Sequence, residues 1–186
     1  MTSPPKPART AGQKARANGQ TFETRLDWQH EQYRARGAAV HRNGPPVRPV
    51  KVGARVLFQT VGVGPPDYTV WADGRCYVFD AKFTEDPAWP LSKLEEHQAK
   101  ALDAITVASR GRTITGLVVG LSGGARVFWI DWPALSATWW RWFRTPRVGP
   151  GEGSLTAEGC ARFGWECSGA DWLAAVSTLR AAPISG

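Results

Sequence analysis

At 186 residues, 42% of them hydrophobic and 21% charged, the chain is long enough for one domain with a real core. Its longest apolar run, residues 116–121, is far too short to cross a bilayer, and its Pro- and Lys/Arg-rich start lacks the apolar stretch of a secretory signal. Three cysteines, Cys76, Cys160 and Cys167, are an odd number without Cys-x-x-Cys spacing, which speaks against a disulfide framework and a zinc site. The expectation is a cytoplasmic protein with no membrane partner. The net charge of +7 is unevenly placed: residues 1–60 hold 11 Lys/Arg against 3 Asp/Glu, and the remainder holds 12 against 13. The basic half is expected to face a polyanion, the alternative being an arm that only aids solubility.

Residues 1–17 read as a disordered basic arm in which Lys6, Arg9, Lys14 and Arg16 are candidate phosphate contacts. A helix is predicted from Asn18, which can cap it. Phe22, Leu26, Gln29 and Tyr33 recur at helical spacing, and Gly37 follows Arg34 and Arg36 at the end. Arg25 on that helix joins the DNA-binding candidates. Glu23, near the expected first turn, either complements the helix dipole or points at a metal site. Residues 38–40 suggest a short strand. Pro45, Pro46 and Pro49 then exclude a central strand, and a β-like run extends from Val50 to Val61. A projecting, extended hairpin carrying Arg42, Arg48, Lys51 and Arg55 is expected, either as a DNA-inserting element or as an exposed loop.

Two β-rich runs flank Asp73-Gly74, a dipeptide suited to a type I′ turn, which needs positive φ at both central positions. A turn centred there sets Ala72 opposite Arg75, Trp71 opposite Cys76 and, further on, Asp67 opposite Asp80. Alternation puts Lys82 on the face of Asp80. Two carboxylates facing each other across a ladder repel, and a divalent cation between them reverses the sign. The hairpin is therefore expected to hold a hard metal with an ammonium beside it.

Residues 84–91 read as a loop. Ser92 to Glu95 has the form of a capping box, so a helix is predicted to begin there with Leu94, Ala101, Leu102, Ile105 and Ala108 on its apolar face. Gln98 lies in that stripe and needs partners, either backbone groups or the carboxylates of the hairpin. Strands are predicted over 113–121 and 125–130. A helix capped by Asp131, with Pro133 just inside, carries Trp139, Trp140, Trp142 and Phe143 with Arg141 and Arg144, suited to packing or to base stacking. Residues 145–154 resemble a linker, and the tail from Leu155 contains Trp165 and a short helix from Asp171 to Arg180. The division expected is an arm at 1–17, a main domain at 18–144 and a Trp-rich extension at 145–186.

Phosphodiester hydrolysis suits such a site, because a metal polarises the phosphate and Asp67 and Asp80 are hard oxygen ligands fit for Mg²⁺. Lys82 would orient or deprotonate the attacking water, or stabilise charge in the transition state. Pro66-Asp67 followed by Asp80-Ala-Lys82 matches the PD-(D/E)xK nuclease pattern. The wider order resembles the RecU-type Holliday junction resolvases, through Gly19-Gln-Thr-Phe-Glu23, Pro-Asp-Tyr68, Tyr-Val-Phe-Asp-Ala-Lys82 and His97-Gln98 over about residues 18–135. The resemblance implies an α/β, restriction-endonuclease-like mixed β-sheet flanked by helices, with a stalk-like segment near residues 42–61. It also implies a homodimer and Mg²⁺-dependent paired nicking of four-way DNA junctions, with Mn²⁺ as an expected substitute. Carried over, Asp67, Asp80 and Gln98 are metal-site residues, Lys82 the catalytic lysine and Glu23 an accessory acid. The chain departs from the family in having Asp80 where Glu is usual, and Pro65 where a Thr is usual. A nuclease acting on other DNA, of restriction or repair type, and a non-catalytic DNA-binding module of the same fold are the alternatives.

Overall fold

The computed structural model of the chain describes residues 11–44, 47–52, 55–60, 64–145 and 153–180. The first ten residues, with Lys6 and Arg9, lie outside these, and for Lys14, Arg16, Arg48 and Arg55 only the backbone is described.

The chain runs through helix α1 (Ala11–Ala35), strands β1 (Ala39–Arg42), β2 (Val47–Val52), β3 (Arg55–Thr60), β4 (Tyr68–Ala72), β5 (Arg75–Phe83) and β6 (Ala88–Pro90), and helix α2 (Glu96–Ala108). It continues through β7 (Thr113–Leu121), β8 (Arg126–Asp131), α3 (Trp132–Arg144), β9 (Ser154–Thr156), α4 (Ala157–Phe163), β10 (Gly164–Cys167) and α5 (Trp172–Arg180). A six-stranded mixed sheet in the order β1-β4-β5-β7-β8-β10 forms the middle layer. Only β5 and β7 are parallel, and α2 supplies the crossover that a parallel pair requires. Helices cover both sides, the α/β arrangement that the resemblance implies. Among the described residues, no helix is long and apolar enough to cross a membrane.

Alternation along β5 and β8 sends successive side chains to opposite faces. Tyr77, Phe79, Val127 and Trp129 join Phe22, Leu26 and Tyr33 of α1 and Trp172 and Val176 of α5 in one cluster. Phe128 and Ile130 join Leu117, Val119 and Leu121 of β7, with Leu102, Trp132, Leu135 and Trp139 of α2 and α3, in the other. Gly120 lets α1 approach closely: a Cβ there would lie 2.8 Å from the Phe22 ring.

Several boundaries move. The first helix begins at Ala11, not Asn18, so its start takes in part of the expected arm. Glu23 therefore sits in mid-helix, too far from the N-terminus to complement the dipole. The helix expected from Ser92 begins at Glu96. Leu91–Lys93 is a single 3₁₀ turn, and Leu94 is extended with φ −94° and ψ 119°, which breaks the helix before its cap. The capping residue is Glu95, whose N–H donates to Gln98 Oε1 at 3.1 Å, so the cap falls three residues later than the sequence pattern suggests. Leu94 is buried ahead of this helix, and Ala108 is exposed at its end. Residues 88–90, read as loop, form a short edge strand on β9. That position tolerates Pro90, which has no N–H to give.

The stretch past residue 153 is built into the fold. Strand β10 pairs with β8 as the sixth strand, fastened by a two-pronged Arg126–Glu166 ion pair with both contacts at 2.7 Å. The tryptophans of α3 serve packing: Trp139 is fully buried and donates to Leu91 O, while Trp132 and Trp140 both donate to the Asp103 carboxylate at 2.7 Å.

Candidate metal centre on the β4–β5 hairpin

The site begins with a turn. Asp73 and Gly74 adopt φ 50° and 72°, as the type I′ geometry demands, and fix the register at Ala72 opposite Arg75 and Tyr68 opposite Phe79. One step further, Asp67 reaches Asp80. The Asp67 N–H donates to Asp80 Oδ1 at 3.2 Å, and Asp67 Oδ2 accepts the Ala81 N–H at 2.9 Å. Asp80 and Lys82 alternate with Phe79 and Ala81, so they leave the aromatic cluster and face α2.

There the first turn of α2 receives them. Lys82 Nζ donates to Gln98 Oε1 at 2.8 Å, and Gln98 Nε2 donates to Asp80 Oδ1 at 3.4 Å. The Gln98 carbonyl also takes the Glu95 N–H, so both of its lone pairs are engaged. Gln98 thus orients the lysine and the buried carboxylate while capping its own helix.

Asp80 is fully buried, and its Oδ2 has no hydrogen-bond partner. Burial pushes its carboxyl up to about 7. The Lys82 ammonium pulls it back, and the Asp67 carboxylate adds to the rise. An orphaned buried carboxylate oxygen beside a second carboxylate is the environment a hard cation relieves, so the residues present fit Mg²⁺ or Mn²⁺. Among the described residues no group of three or more His, Cys, Asp or Glu is placed to hold a metal, and Asp67 and Asp80 are the carboxylates that meet at the hairpin. Mg²⁺ sites commonly use one or two, with water and substrate oxygens completing the shell.

Glu23 pairs with Arg42 at the end of β1. The same guanidinium donates to Asp27 Oδ2 at 2.8 Å and lies over the Tyr68 ring, and the Tyr68 hydroxyl donates to Asp27 Oδ1 at 3.0 Å. Of the basic candidates, Arg42 is therefore bound to acids of α1. Arg25 donates to Gly124 O at 2.9 Å, and Lys51 is exposed on β2. Strands β2 and β3 form a separate two-stranded hairpin with Val50 opposite Leu57, where the stalk-like segment was expected.

Sequence reasoning missed Asn43, Asp27 and Glu95. Neither Asn43 nor Asp27 lies in a motif. Glu95 was placed inside the helix because Ser92 mimics a cap.

In structure the chain is similar to Hjc, a Holliday junction resolvase from the archaeal hyperthermophile Archaeoglobus fulgidus, with 16% identity and a TM-score of 0.46 over 79% of this chain and 94% of that one. Comparison with curated proteins finds no match. The family described as Recombination protein U matches residues 17–147, a span that contains all four residues of the site. On that match, which covers well over half of its length, the chain belongs to the Recombination protein U family, the RecU-type resolvases whose motifs it carries.

Proposed function

We propose that the protein is a Mg²⁺-dependent endonuclease that resolves four-way DNA junctions by paired, symmetric nicks and works as a homodimer in the cytoplasm. One observation carries this reading: the turn at Asp73-Gly74 and the cap of α2 bring Asp67, Asp80, Lys82 and Gln98 into one hydrogen-bonded cluster. Family membership supplies the substrate class.

Asp67 and Asp80 would hold the cation, which, when bound, supplies Lewis acidity toward a phosphodiester near neutral pH. Gln98 serves that site by fixing its neighbours, because its own carbonyl is already occupied. Lys82 donates to that carbonyl at 2.8 Å, so it stands as a hydrogen-bond donor. This favours stabilisation of the negative charge that builds on the phosphate over proton abstraction. Burial of Asp80 makes the cluster pH-sensitive: the carboxyl must lose its proton to ligate, so metal binding weakens as pH falls below about 7. Two cuts related by symmetry require two equivalent sites, which a C2 dimer provides. Phosphate contacts are assigned to Arg25, Lys51 and the remaining basic candidates.

The test uses a labelled four-way junction, a matched duplex and a fork, each with and without Mg²⁺. Paired nicks in the junction alone, dependent on Mg²⁺ or Mn²⁺, are expected. Lys82→Ala should lower the cleavage rate by about 10²–10³-fold while junction binding is retained. Equal cutting of the duplex would reassign the substrate to DNA at large. Junction binding without cleavage under any divalent metal would overturn the enzyme.

A further inference from the structure

The chain leaves the sheet after Arg42 and returns at Tyr68, which pairs directly with Arg42. Everything between, including the β2–β3 hairpin, is an excursion standing on two feet, Asn43 and Asp67. The first foot is anchored, because the neighbouring Arg42 is held by Asp27 at 2.8 Å and by Glu23 on α1. The second foot is a proposed metal ligand. Any load on the hairpin therefore reaches Asp67 through the backbone, with no helix or strand among the described residues between Thr60 and Tyr68.

One residue ties the feet together. The Asn43 N–H donates to Asp67 O at 2.7 Å, and Asn43 Nδ2 donates to Pro66 O at 2.6 Å and to Thr69 Oγ1 at 3.1 Å. Pro66 O is an acceptor only, which fixes the orientation of the amide. Asn43 thus grips the carbonyls of the two peptide units that flank the Asp67 Cα, and the side chain two residues on from Asp67.

We propose that Asn43 is a positioning residue that holds Asp67 at the metal centre against the pull of the DNA-bound hairpin. The inference rests on the reading of Asp67 as a metal ligand. Asn43 touches neither metal nor substrate in this scheme. It keeps Asp67 Oδ2 on the Ala81 N–H and Asp67 N on Asp80 Oδ1, so the two carboxylates stay in register. Partners that orient metal ligands affect affinity almost as the ligands do.

The experiment measures Mn²⁺ binding to the full-length protein by electron paramagnetic resonance, together with junction binding in the absence of metal. Asn43→Ala should weaken Mn²⁺ about tenfold. Metal-free junction binding should stay within about twofold of the wild type, and kcat should fall while KM holds, as for an interaction that orients the reacting groups. Unchanged Mn²⁺ affinity would overturn the proposal. So would a parallel loss of Mn²⁺ affinity, junction affinity and Tm, which marks a merely structural role. Thr69→Val, which removes one acceptor of the Asn43 amide and preserves volume, gives a second reading should Asn43→Ala fail to fold. It should weaken Mn²⁺ by a smaller factor, and no change would again overturn the proposal. Asp67→Asn separates the two levels. If that variant binds Mn²⁺ like the wild type, the metal-site reading itself fails; if it loses Mn²⁺ while Asn43→Ala does not, only the positioning role fails.

Discussion

His30 and Asp80 are both buried against the central sheet, at 1% and 0% exposure, yet on opposite faces and with opposite outcomes. His30 projects from α1 among the rings of Tyr33, Tyr68, Phe79 and Trp172, and its Nε2 accepts the Trp172 indole N–H at 3.2 Å. Burial lowers its pKa to about 4, so it is neutral at pH 7, and an aromatic pocket suits that form. Asp80 sits under α2 beside Asp67 and Lys82, and burial raises it to about 7. Its penalty is one that a bound cation removes. Equal burial therefore means different things: in one pocket the neutral state is settled at pH 7, and in the other a carboxyl balanced between its two states is poised for a ligand.

The sharpest way to break the His30 side of this contrast is to remove its donor. Trp172 is fully buried and stacks on Trp129 with centroids 5.2 Å apart. Trp172→Ala should destabilise the protein by about 3–5 kcal/mol, read from urea unfolding. A loss under about 1 kcal/mol would show that α5, which lies beyond the family match, is not part of the core.

The Asp80 side breaks in the other direction. A carboxyl raised in the folded state binds its proton more tightly there than in the unfolded chain. Its contribution is intact below its ordinary pKa of 3.8 and is lost as pH rises through about 7. Asp80→Asn removes that loss. With divalent metal chelated, the variant should be more stable than the wild type at pH 8, by on the order of 3 kcal/mol, and indistinguishable from it near pH 4. Thermal denaturation in chelator at the two pH values checks this. Cleavage should vanish in the same variant, so stability and activity move in opposite senses, as expected of a strained functional site.

How much of this contrast is legible in the sequence follows from its physics. Asp73-Gly74 fixes a register, and a register carries Asp67, Asp80 and Lys82 to one face without any tertiary knowledge. Gln98 stands out as a polar residue in an apolar stripe, which leaves backbone groups or the hairpin carboxylates as its partners; the family resemblance points to the latter, and its second task as the cap of α2 is hidden by Ser92. His30 carried no signal. Its partner Trp172 is 142 residues away, and neither spacing nor alternation relates two helices packed on a sheet. The same holds for Asn43 and Asp67, which are feet of a long excursion. Local periodicity reports faces; closures between distant segments are settled by packing.

The smallest effect is the most discriminating, because the two buried groups oppose each other. His30 takes up a proton in the unfolded chain near its ordinary pKa of 6.5 but not in the folded chain until about 4, so its contribution is present above pH 6.5 and is lost as pH falls toward 4. Across that same window Asp80 gains stability as pH falls. The wild type, without metal, should therefore show a flatter profile between pH 6.5 and 4.5 than either group alone would give. Asp80→Asn uncovers the His30 term, and stability should then drop by on the order of 2 kcal/mol from pH 6.5 to 4.5. His30→Gln, whose amide oxygen can still accept from Trp172, uncovers the other term, and stability should rise over the same interval. The two groups lie on opposite faces with no shared partner, so the double variant should show the sum of the two changes. Urea midpoints at the two pH values decide it: equal slopes in all four proteins would mean that neither burial controls the acid response.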